Sequence, residues 1–212
     1  MAPTEPEAVA AIEAVAPEVF EGTHPDLVVE GEQVTGVVED PLTGESNGVI
    51  TLDADNATAS VQGVLGPEVT LEYQVVEPAT TAITENAELV VENATGVTTI
   101  SNVTDDASVR VTSTIASPES DHVIPYAFSA DGMTSIVEIE GGSLLFLDEN
   151  EEMIGGVAPA WALDAAGVSV PTRYEIDGLN VTQVVDVSAG SFEYPIVADP
   201  LWGTNLFSIV DY

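Results

Sequence analysis

Cysteine and lysine are both absent from this 212-residue chain. Without thiols there are no disulfides, no thiolate zinc site and no cysteine nucleophile, so an exported chain of this kind rests on core burial alone. Only 2 basic residues, Arg110 and Arg173, stand against 37 Asp and Glu, for a net charge of -35. With no basic patch to release counterions, nucleic acid is excluded as a partner, and anionic lipid is excluded by the same repulsion. Lacking lysine, the chain cannot form lysine isopeptide crosslinks, and no LPxTG-type wall anchor occurs. Histidine is nearly missing, with His24 and His122 alone. Neither accompanies a G-x-S-x-G elbow, and no H-x-H or H-E-x-x-H spacing exists, so triad and zinc hydrolysis have no support. Both histidines read as surface or edge residues. Aromatics at 6% are too few to line a sugar cleft, and a glycosidase pair cannot be singled out among 37 acids. The apolar stretch 153–163 is broken by Gly155, Gly156 and Pro159, too short to span a bilayer. No basic segment precedes an apolar run at the N-terminus, so Met1-Ala2-Pro3 reads as a start codon on a mature, signal-free chain.

What remains is enough to fold. Hydrophobic residues make up 45% and mean hydropathy is +0.23, whereas disorder needs low hydrophobicity together with charge. A globule of this mass exposes roughly 9,000 Å², which separates neighbouring carboxylates by about 16 Å against a Debye length of about 8 Å. The charge is therefore largely screened at ordinary salt. Cations, cationic polymers and basic proteins are the partners such a field admits, and acidity also serves as a solubility device for a secreted surface.

One segment reads as helix. Thr4 caps it, Glu7 completes a T-x-x-E box, Pro6 suits the first turn, and Val9, Ile12 and Val15 recur at helical spacing before Pro17 ends the run. From Leu27 the texture is β, with Val, Ile and Thr runs broken by Gly, Asp, Asn and Pro. Strands are predicted over 32–39, 48–53, 58–65, 69–76, 88–92, 108–116, 122–129, 135–140, 143–148, 168–176 and 179–187. Asp131-Gly132, Gly141-Gly142 and Asp177-Gly178 read as two-residue hairpin turns. The fold class is mainly β: an antiparallel β-sandwich, as one large or two packed layers, with a short N-terminal α-helix. The chain divides into a helix over 1–20, β parts over 21–85 and 86–200, and a tail over 201–212, with a soft boundary in the Thr-rich stretch 78–86.

The C-terminal half carries a longer pattern. Ser108-Val109-Arg110-Val111, Ala158-Pro159-Ala160-Trp161-Ala162-Leu163-Asp164-Ala165-Ala166-Gly167, Val170-Pro171-Thr172-Arg173-Tyr174, Gln183-Val184-Val185-Asp186 and Tyr194-Pro195-Ile196-Val197-Ala198-Asp199-Pro200 follow in that order. This resembles a widespread group of uncharacterised exported actinobacterial proteins with an "aPWAxDAxGxxVPTxY…YPVVADP" signature. Ala160 interrupts the usual Pro-Trp pair and Ile196 replaces Val. The resemblance implies a secreted, acidic, β-rich protein with no activity to carry over. Group members continue past the "VADP" motif, so this chain is expected to be a pro-region or to stop short of a downstream part. Physically the signature reads as architecture. Pro159, Pro171 and Pro195 suit strand entries, Trp161 is an apolar plug, and Tyr194-Pro195 and Asp199 frame a short strand.

Candidate metal ligands are oxygen clusters in turns, Asp53, Asp55 and Asn56, and Asp148, Asn150 and Glu152, with a weaker set in Glu39, Asp40, Glu45 and Asn47. They suit a hard cation such as Ca2+, though no EF-hand pattern is present, and the other reading is a solvated acidic turn. Arg110 and Arg173 are each expected in a partly buried cross-strand ion pair, because an unpaired guanidinium is costly to desolvate. Asn56, Asn93, Asn102 and Asn180 lie in N-x-T sequons and read as turn residues. The functional expectation is a secreted, non-enzymatic binding, scaffold or surface module. The alternatives are a pro-region or carrier for a downstream, basic segment, and a carboxylate hydrolase.

Overall fold

The computed structural model describes residues 2–21, 27–39, 44–64 and 66–204. The described chain opens with helix α1 (Glu5–Val15), which runs into a 3-10 turn, Pro17–Phe20. Strands β1 to β6 are Val28–Glu30, Gln33–Glu39, Ser46–Asp53, Thr58–Gly63, Glu68–Tyr73 and Thr80–Ile83. Strands β7 to β12 are Leu89–Glu92, Val97–Val103, Ser108–Ile115, Val123–Ala130, Met133–Glu138 and Leu144–Asp148. Strands β13 to β18 are Met153–Val157, Trp161–Leu163, Thr172–Asp177, Asn180–Val185, Ile196–Asp199 and Leu201–Gly203.

These strands form a sandwich of two antiparallel sheets. One has eight strands in the order β1-β2-β3-β4-β5-β10-β16-β15. The other has ten, β11-β12-β13-β18-β9-β8-β7-β6, with β14 joined through β17 to β9. Alternation explains the packing: in β3, Ile50 and Leu52 are fully buried while Val49 turns outward. Phe128 of the first sheet meets Phe146 and Trp202 of the second, with ring centroids 4.7 and 5.5 Å apart. Tyr73 and Ser101 add a hydroxyl bond of 2.7 Å between the sheets.

Three turn readings change. Asp131-Gly132 is not a hairpin, because β10 already has β5 on one side and β16 on the other. The chain must leave the sheet there, and β11 starts the edge of the second sheet. Gly141-Gly142 belongs to a three-residue loop, since Ile139 N–H donates to the Ser143 carbonyl. The two-residue loop between β15 and β16 is Gly178-Leu179, because Asp177 still pairs with Asn180. Residues 201–203, placed in a tail by sequence, are a strand, and Trp202 is fully buried. The broken stretch 153–163, where no strand is predicted, supplies β13 and β14. At Gly155 a Cβ would stand 2.9 Å from the Gly203 carbonyl oxygen, so only glycine fits that approach. The Thr-rich stretch 78–86 contains β6, an edge strand.

Candidate binding groove

The N-terminal helix is tied to the outer face of the second sheet at several points. Glu7 accepts hydrogen bonds from the Thr4 N–H and hydroxyl at its start. The Glu5 N–H donates to Glu92 Oε1 on β7 at 2.9 Å. The Thr98 hydroxyl on β8 donates to the Pro3 carbonyl. The spacing Val9, Ile12, Val15 finds the centre of the docking stripe at Ile12, while Val9 and Val15 lie on its flanks. Ala8, Ile12, Ala16 and Val19 are the buried set, packed on Val90, Ile100 and Val197. Ala8 and Ala16, one turn to either side of Ile12, let the helix sit close to the sheet.

Beneath this cap lies a buried ion pair. Arg110 Nη1 donates to Asp199 Oδ2 at 3.2 Å, joining β9 to β17, with both side chains nearly inaccessible. Burial pushes the Asp199 carboxyl up to about 6, against the opposing pull of Arg110 and hydrogen bonds from Trp161 and Thr112. Three residues of the sequence signature pattern, Arg110, Trp161 and Asp199, thus meet at one point. Arg173 does not join them. It pairs with Glu175 two residues along the same strand, and both side chains are more than half exposed, which corrects the expectation of a buried cross-strand pair.

The helix covers β8, β9 and β17 and reaches Val90 on β7, which leaves β6 as a partly exposed outer ledge at the sheet edge. Between the helix, the 85–88 turn that links β6 to β7, and Leu27 and Val29 at the edge of the other sheet lies a groove of about 700 Å³. Its walls carry the carboxylates of Glu5, Glu13, Glu85 and Glu88, with no basic side chain among the described lining residues. Val9, Phe20, Leu27 and Val29 supply apolar surface. Glu88 is 7% exposed, and burial raises its carboxyl pKa, with the Glu5 charge adding to the rise and the Thr84 hydroxyl opposing it. Asn102 also lines the groove, 2% exposed, its Nδ2 donating to the Val19 carbonyl while Oδ1 has no partner among the described residues. A smaller depression of about 180 Å³ shares Glu5 and is bounded by Thr80, Ala82, Val90 and Glu92. A cation held in the larger groove, which both line, would relieve the repulsion between Glu5 and Glu88 and offset the desolvation of Glu88.

The remaining sequence candidates lie elsewhere. Asp53 accepts the Asn56 N–H and Nδ2 at 2.9 Å each, closing the turn between β3 and β4. Asp148 does the same for the N–H groups of Asn150 and Glu152, at 2.8 Å each. Asp55 adds no side-chain bond to the first cluster, and no group of three or more His, Asp or Glu side chains among the described residues is placed to hold a metal ion. Asp40 and His24 lie outside the described residues. His122 sits half-buried with its Nε2 2.6 Å from the Tyr194 hydroxyl, just before the cis bond to Pro195. Of the sequon asparagines, Asn102 is buried mid-strand in β8, which corrects its reading as a turn residue. Sequence reading missed Asp164, which accepts the N–H groups of Ala166, Val168 and Glu193 and whose carboxyl these bonds hold below the usual range. Its signal was the Leu163-Asp164-Ala165-Ala166-Gly167 turn inside the signature. No described helix is long and apolar enough to cross a membrane. No protein-family model matches the chain, and no curated protein matches it either.

Proposed function

We propose that this chain is an extracellular, non-enzymatic binding module that receives a basic, partly apolar segment of another protein in the groove between α1 and the 85–88 turn. The observation that carries the reading is the groove wall, where four carboxylates face apolar surface with no basic side chain among the described residues. Asn102 Oδ1, buried and unpartnered, adds an acceptor for an N–H donor. The net charge of -35 steers cations toward the whole surface, so affinity alone would not identify the groove. The resemblance to exported actinobacterial proteins supports the extracellular placement.

The test compares two sets of neutral variants against one Lys-rich peptide of alternating Lys and Val. One replaces Glu5, Glu13, Glu85 and Glu88 by Gln. The other removes the same number of charges from exposed Glu138, Glu140, Glu149 and Glu151. The groove variant should bind about tenfold more weakly, equivalent to about 1.4 kcal/mol, while the remote variant stays near the unmodified protein. Equal weakening in both would replace the groove with a diffuse field.

A further inference from the structure

The sandwich has several sheet edges among its described residues, and all but one are blunted. An open edge is a template for a further strand, so most proteins shorten, charge, bulge or cover it. Edge β1 is three residues long and ends in Glu30. Edge β15 places Arg173, Glu175 and Asp177 at alternate positions. Edge β11 carries a register shift between Met133 and Ser135 and ends in Glu138. The free side of β14 is bridged by Ser169, and its Ala162 carbonyl accepts the Val170 N–H.

Edge β6, four residues long, carries no charge, bulge or cover among the described residues. Residues 79–84 read Ala-Thr-Thr-Ala-Ile-Thr, with no charge and no proline in a chain with 37 acids. The Thr84 N–H donates to the Glu88 carbonyl, which fixes the phase of the β6–β7 ladder. In an antiparallel pair the bonded positions alternate. Ala82 and Thr80 therefore turn their backbone groups toward β7, and Thr81 and Ile83 turn theirs outward, where no described residue takes them. We infer that β6 is a docking edge that accepts an extended, basic segment of a partner as an added strand.

Charge complementarity selects that occupant. Alternate side chains of the added strand would fall on the outer ledge beside Thr80 and Ala82, within the reach of Glu5 and Glu92, which line the same depression. Lys or Arg belongs there. The intervening side chains would fall beside Thr81 and Ile83, of which Ile83 packs on the sandwich core, so they should be apolar or hydroxylic. A second copy of this chain is a poor occupant, since each copy carries -35. The inference rests on the basic-partner reading above and adds the mode: backbone bonds give affinity and alternation gives selectivity.

The experiment uses the same alternating Lys-Val peptide and the intact protein. Amide hydrogen exchange should slow at Thr81 and Ile83 when the peptide is added. Thr81→Pro removes one outward N–H without touching a bond to β7, and should weaken binding about fivefold, the loss expected for one hydrogen bond. Thr81→Val, which keeps the N–H, should bind as the unmodified protein does. Unchanged exchange at both amides, read in the unmodified protein, would overturn strand addition even if the proline variant failed to fold. Slowed exchange with no effect of the groove glutamines would instead overturn the charge reading and leave the edge standing.

Discussion

Arg110 and Arg173 show how little a residue type says without its surroundings. One is buried against Asp199 and the other is exposed beside Glu175. Removing one partner of a buried pair strands the other charge, so Arg110→Ala should cost about 3–5 kcal/mol. Exposed pairs contribute little, and Arg173→Ala should stay within about 0.5 kcal/mol of the parent in urea melts. Equal effects of the two substitutions would refute this division. Sequence singled out both arginines, because a rare cation among acids must find a partner, and named Asp199 only as part of the frame of a short strand. It could not tell them apart, since burial of Arg110 comes from a helix about a hundred residues away in sequence. The acidic turns are a second case at this scale. The carboxylates of Asp53 and Asp148 already accept backbone N–H groups, so their oxygens are engaged without a metal. Thermal melts with and without a chelator should coincide, and a clear fall on chelation would place calcium at these turns.

Elements were legible where one face meets the core and the other meets water. β3, β5 and β10 alternate in that way, and their predicted spans overlap the observed ones closely. β8 was not legible. It reads Val-Thr-Thr-Ile-Ser-Asn-Val and is buried at every position, between the other sheet and the helix. Hydroxyl groups on both faces erase the period-2 signal, and they are tolerated because neighbours bond them, as Ser113 does Thr99. β13 was missed because Gly155 and Gly156 look like a break, when the first permits close packing. The helix was legible from its cap, and its stripe only at Ile12, because alanine is a weak hydrophobic signal. Ile12 is fully buried at the centre of that stripe. Ile12→Ala should therefore destabilise by about 2 kcal/mol or more, whereas Val15→Ala, on the flank, should cost clearly less in the same melts. The reverse order would contradict Ile12 as the centre of the stripe.

At the scale of the molecule, charge sets the pH response. Burial raises the carboxyl pKa of Asp199, to about 6, and that of Glu88. Between an unfolded value of about 4 and those raised values, the folded protein holds protons that the unfolded chain has released. Their contribution is full below the unfolded pKa and is lost as pH rises through the folded one. Asp53, Asp148, Asp164 and Asp186 act in the opposite sense, since hydrogen bonds lower their pKa values and that stability is lost only on acidification below about 4. Self-repulsion of the net charge adds to the first trend. Tm should therefore rise as pH falls from 7.5 to 5 and drop again below about 4. A Tm that falls steadily from 7.5 to 5 would contradict this assignment. Lowering ionic strength at pH 7.5 should also lower Tm, because screening lengthens from about 8 Å toward 30 Å.

Composition indicated a cationic partner, but it placed no site, since the groove is made by a helix, a strand edge and a turn that come together only in the fold. The most direct test of that placement is an amide shift map of the isotope-labelled protein titrated with the Lys-Val peptide at moderate salt. Shifts should concentrate on α1, β6, β7 and the 84–88 turn. An even spread over the acidic turns, including 131–132 and 148–152, would contradict a localised groove.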